Sequence, residues 1–143
     1  MGGVINLTGA TVYLDTNVFV YAVEGFPEYQ EFLKELFDRI ERSEITAVTS
    51  ELTLAEVLVK PLELGRHDIV AFYDEMLQTS DRLVVAPIER EILVNAAEYR
   101  ATLNISLPDA IHVATAVNSG CSILLSNDRK LRAPESITIR GLE

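Results

Sequence analysis

Five short runs of residues suited to buried strands recur along the chain, and a stretch with helical character follows each of the first three. The runs are Thr11–Leu14, Ile45–Thr49, Leu83–Ala86, Ser122–Leu125 and Ile137–Ile139. Strands separated by helices are joined by right-handed crossovers, which makes the sheet mostly parallel. Runs that are apolar on both faces belong inside such a sheet, covered by helices above and below. This single pattern argues against all-α and all-β folds and leaves an α/β architecture.

Apolar spacing places the helices. Tyr29, Phe32, Leu33, Leu36, Phe37 and Ile40 form one stripe and predict a helix over Glu28–Arg42, with Glu35/Arg39 and Asp38/Arg42 as favourable pairs on its wet face. Ser50 begins a helix reaching about Val59, and Pro61 and Gly65 are expected to break the chain. Ile69, Phe72, Tyr73, Met76 and Leu77 mark the next helix, and Ile88, Ile92, Ala96 and Leu103 another. Pro108 opens a helix over Asp109–Asn118 that is apolar nearly all round, so it is expected to be buried, its alanines allowing close approach to the sheet.

With 143 residues the chain fits one domain over 1–143. The single cysteine, Cys121, permits neither an internal disulfide nor a cysteine-based zinc site, and is expected to be packed against the sheet. No run approaches a membrane span and residues 1–10 lack the form of a signal peptide, so the expectation is a cytoplasmic protein with no membrane association. The net charge is −10, whereas nucleic-acid binders usually carry a basic footprint. Two divalent ions would take −10 to −6, with the change concentrated where they bind.

In an open parallel sheet, ligands sit beyond the carboxyl ends of the strands. Asp15–Thr16–Asn17 follows the first run and Ser126–Asn127–Asp128 follows the fourth. Glu56 and Asp109 interrupt otherwise apolar helix starts. A carboxylate among core residues is costly unless something pairs with it, and four gathered together point to a bound metal. Each acid also has a structural role open to it. Asp15 can cap a following helix, Glu56 can form a capping box with Thr53, Asp109 suits a helix N-terminus, and Asp128 suits a turn. His112, three residues after Asp109, reads as a packed histidine, and Arg129, Lys130 and Arg132 as either phosphate ligands or a solvated charge run.

The ordered set Leu14–Asp15–Thr16–Asn17, Thr53–Leu54–Ala55–Glu56, Pro108–Asp109–Ala110, Ala114–Thr115–Ala116 and Leu125–Ser126–Asn127–Asp128 resembles the PIN-domain nucleases, most closely the VapC-type toxins. The resemblance covers nearly the whole chain apart from residues 1–10, which read as a short extension or an expression remnant. It implies a three-layer α/β/α sandwich around a parallel sheet of about five strands. It implies that Asp15, Glu56, Asp109 and Asp128 hold Mg²⁺ or Mn²⁺ and cut RNA, that the protein forms a homodimer, and that a small basic antitoxin blocks it. Thr16, Asn17 and Ser126 are then candidates to orient the carboxylates or water, beside their ordinary capping and turn duties. A phosphatase of the haloacid dehalogenase type needs a second aspartate where Asn17 stands, and a response-regulator receiver needs an aspartate that Leu83–Pro87 lacks. The remaining rival is a PIN-like module that binds RNA or protein without cutting.

Overall fold

The structure is a computed structural model that describes residues 3–143. The elements run β1 (Thr11–Leu14), α1 (Thr16–Glu24), α2 (Gln30–Glu41), β2 (Thr46–Ser50), α3 (Glu51–Glu63), α4 (His67–Met76), β3 (Leu83–Ala86), α5 (Arg90–Leu103), α6 (Leu107–Asn118), β4 (Ile123–Leu125) and β5 (Thr138–Arg140). Short 3₁₀ helices at Gly3–Leu7 and Pro27–Tyr29 precede β1 and α2. The strands form one sheet in the order β3-β2-β1-β4-β5, and each adjacent pair is parallel. The expected α/β/α sandwich is therefore present, with the predicted number of strands.

β1 lies at the centre, and its alternation builds both layers. Val12 and Leu14 point into a core shared with α1, α2 and Tyr73 of α4. Tyr13 points into a second core formed with α5 and α6. Val4 and Leu7 also enter the first core, so residues 3–7 pack against the sheet. α6 is buried along most of its length, including Ala110, Val113, Ala114 and Ala116, as its composition predicts.

One expectation requires correction, and one of the structural roles open to the acids is not taken up. Pro61 does not break the chain, because α3 continues through it to Glu63. A proline there forfeits one backbone donor near the last turn, and its ring is buried instead. The stop comes at Gly65, whose φ of +66° is a left-handed turn that glycine takes without strain. The capping box of Thr53 and Glu56 is also absent. Ser50 caps α3 by accepting from Leu52 N at 3.0 Å, and the Thr53 hydroxyl pairs with that of Thr49 at 2.8 Å. Glu56 is thereby left to face elsewhere.

Candidate active site

The strand order reverses at β1, and the loops after β1 and β4 meet there. This is the crevice where open α/β sheets bind ligands. Asp15 ends β1 and caps α1, its Oδ1 accepting from Thr16 N at 2.9 Å. Its Oδ2 accepts a short hydrogen bond from the Ser126 hydroxyl, just past β4. Ser126 Oγ in turn accepts from Asp128 N at 3.0 Å and from Asn17 Nδ2 at 3.4 Å. Ser126 is thus a buried hub joining the two loops. Both Asp15 oxygens are fixed, yet each retains a lone pair. The Oδ1 of Asn17 is buried without a hydrogen-bond partner.

Asp109 stands in the first turn of α6, which Ser106 caps by accepting from Asp109 N at 3.2 Å. Burial pushes the Asp109 carboxyl above the usual carboxylate range, and the charges of Asp128 and Asp15 push it the same way. Asp109 therefore feels the charges of both other aspartates. Asp128 also closes a turn by accepting from Lys130 N at 2.9 Å. Neither Asp109 nor Asp128 is paired with a lysine or arginine among the described residues.

Glu56 behaves differently from the aspartates. Its Oε1 lies 2.7 Å from Nε2 of His112 and accepts from the Thr16 hydroxyl at 2.6 Å. Burial alone would raise its pKa, but the hydrogen bonds from His112 and Thr16 outweigh burial and hold it below the usual range. His112 is itself buried, 2% exposed, and its Nδ1 meets the Tyr13 hydroxyl. Burial, and after it the Asp15 charge, push the Tyr13 hydroxyl well above its usual range, so it keeps a proton to donate to Nδ1. A carboxylate only accepts, so Nε2–H donates to Glu56. The line Tyr13–His112–Glu56 runs from the sheet core to the crevice.

His112 is the residue that sequence reasoning undervalued. A signal was present, since a polar side chain in a helix apolar on every side needs a partner, and Glu56 lacked one too. The other tempting residues stay outside the network. Arg129, Lys130 and Arg132 are exposed, and Cys121 is buried with its thiol pushed up to about 12 by burial.

The donor set suits a hard cation. It consists of carboxylate oxygens plus the unpartnered carbonyl oxygen of Asn17, with no thiolate. Among the described residues, no three His, Cys, Asp or Glu side chains form a group able to hold an ion as they stand. Within this arrangement Glu56 turns its Oε1 to His112 and Thr16.

Comparison with known proteins agrees with this geometry. The profile of the PIN domain matches residues 12–135. No curated protein matches significantly. Among solved structures, a DNA-bound VapBC complex from Salmonella typhimurium has a chain of TM-score 0.70 and 20% identity, covering 93% of this chain and 98% of its own. A toxin–antitoxin complex from Klebsiella pneumoniae gives 0.66 and 19%, over 90% and 96%. A VapC toxin of Mycobacterium tuberculosis described as cleaving the sarcin-ricin loop gives 0.63 and 16%, over 80% and 87%. These likenesses are likenesses of fold. Taken with the profile match, which spans both the β1 and β4 loops, they show that the chain belongs to the PIN domain family.

Proposed function

We propose that the protein is a metal-dependent endoribonuclease that cuts single-stranded or looped RNA, and that it is the toxin of a toxin–antitoxin pair. One observation carries the reading. Asp15, Asp109 and Asp128 crowd the crevice at the carboxyl edge of the sheet, and burial and mutual repulsion hold Asp109 above its usual range. A purely structural cluster would be expected to bring its own cation.

Asp15, Asp109 and Asp128 would hold Mg²⁺ or Mn²⁺, with Glu56 at the edge of the set. When bound, such an ion neutralises charge on the scissile phosphate and acidifies the attacking water. The chain's own residues orient and restrain. Ser126 and the Thr16 backbone fix both oxygens of Asp15. His112 and the Thr16 hydroxyl hold Glu56 ionised where it can accept a proton from water entering the crevice. An acidic protein grips duplex poorly over long range, so selectivity falls to short unstacked segments that reach the sheet edge. The purified protein is expected to bind Mn²⁺ weakly by calorimetry and to cut RNA only when Mg²⁺ or Mn²⁺ is supplied. Cleavage that persists in EDTA would contradict the reading, and an RNA-binding protein with no cleavage under any metal would favour the inert alternative.

The partner reading rests on a groove of about 530 Å³ between α1, α2 and α4, lined by Ala22, Val23, Phe37, Ile69, Phe72 and Met76. Phe72 is 55% exposed there, an unusual place for a phenylalanine with nothing over it. A basic antitoxin with an apolar segment would cover this groove, and the net charge of −10 would speed its approach at low salt. Phe72→Asp is expected to abolish co-purification of that partner while leaving RNA cleavage by the isolated protein within about twofold, a surface change remote from the crevice. Exposed Val59, Leu62 and Leu64 at the end of α3 support a homodimer, which light scattering would test.

A further inference from the structure

Beside the aspartates lies a second, mainly polar cavity of about 410 Å³, within the roughly 300–1,000 Å³ range of small-molecule pockets. It shares Ser126 and Asp128 with the crevice and opens between the 3₁₀ turn at Pro27–Tyr29 and the end of β5. One wall is aromatic. Tyr21 and Tyr29 both line it, and their rings stack with centroids 4.6 Å apart and planes 26° from parallel. Phe26 packs on Tyr21 at 4.8 Å, which steadies the pair from within. The opposite wall is the β4 loop. Asn127 spends its Oδ1 on Leu142 N at 2.9 Å, and its NH₂ group, which lies against the Tyr21 hydroxyl, has a second hydrogen to offer an incoming acceptor. Gly141 lines the same wall, and a Cβ there would meet Asn127 Oδ1 at 3.0 Å, a tight approach that would press on the amide.

The charges on the lining decide what fits. Asp128 and Glu143 are negative and Arg129 is positive. A phosphate entering this cavity would meet net repulsion, whereas an uncharged planar ring with carbonyl groups would meet tyrosine faces and an amide donor. We propose that this cavity is a nucleobase subsite, which receives one unstacked base beside the phosphate that is cut. The position of that base relative to the cut rests on the nuclease reading above, but the capacity to bind a base does not. Such a subsite gives a weakly attractive, acidic protein its hold on single strands, because stacking on an aromatic wall does not depend on net charge.

The test is an NMR titration of the metal-free protein with uridine 5′-monophosphate and adenosine 5′-monophosphate, with ribose 5-phosphate as the control. The nucleotides are expected to shift the backbone amides of Asn127, Arg129 and Gly141 saturably, and ribose 5-phosphate is not. Tyr29→Leu is expected to weaken binding about tenfold, within the range for losing one stacking ring, while Tyr29→Trp retains it. Equal shifts from ribose 5-phosphate would assign the cavity to phosphate and overturn the proposal. So would undiminished binding in a folded Tyr29→Leu protein, or no shift from either nucleotide. Since the titration needs neither metal nor cleavage, a protein that binds the base without cutting RNA would uphold the subsite and overturn only the nuclease reading.

Discussion

Asp109→Asn is expected to lower the rate of RNA cleavage by at least about 100-fold, the scale of losing one preorganised electrostatic contact at a reacting centre. The same substitution is expected to leave the metal-free fold intact and slightly more stable at neutral pH. The folded state holds the Asp109 proton more tightly than the unfolded chain does, because burial and the charges of Asp128 and Asp15 raise its pKa. That contribution to stability is present at low pH and is lost as pH rises through the raised folded value. Asparagine removes the repulsion at every pH. Glu56→Gln is expected to act in the opposite direction. Its folded pKa is lowered, so its contribution is present above the unfolded value and is lost as pH falls through the folded one. The glutamine variant should melt lower at pH 7, by an amount near about 1 kcal/mol for a half-exposed charged hydrogen bond. Thermal melts of both variants in EDTA would check the pair, and a common direction of change would contradict the division between satisfied glutamate and strained aspartates.

His112→Ala carries the largest expected effect on stability. The substitution empties a fully enclosed site between β1 and α6, removes the acceptor of the Tyr13 hydroxyl, and strips Glu56 of its nearest donor. Cavity formation and a stranded buried hydroxyl together predict a loss of about 2–4 kcal/mol. For a domain of this size that corresponds to a fall in Tm of roughly 4–15 °C. Tyr13→Phe in the His112→Ala background tests the mechanism, since removing the stranded hydroxyl should recover part of the loss. If the double variant melts no higher than His112→Ala, the hydroxyl is satisfied by another route.

The sheet was legible in the sequence because its strands are short apolar runs with clear punctuation. α1 was not, because Asn17–Val23 is a mix of β-branched and aromatic residues with no polar face to reveal a helical period. Its existence depends on tertiary packing, with Val18 and Phe19 buried under the sheet and Asp15 as its cap. Pro61 misled for a related reason, since burial of its ring in α3 outweighs one missing backbone donor. The aspartates at Asp15 and Asp128 were findable from strand ends alone. The partner of Glu56 was not, because His112 lies 56 positions away and the two meet only once α3 and α6 pack on the same edge of the sheet. Spacing along one helix ties His112 to Asp109, whereas the fold ties it to Glu56.

The chemistry of the cut ends tests the central claim most directly. If carboxylates activate water through a divalent ion, the ribose 2′-hydroxyl takes no part in the attack. Sequencing of the RNA ends released by the wild-type protein in Mg²⁺ or Mn²⁺, with Asp109→Asn as the control, should then show 5′-phosphate and 3′-hydroxyl termini that the variant does not produce. Termini bearing 2′,3′-cyclic phosphate, or identical products from Asp109→Asn, would contradict the account.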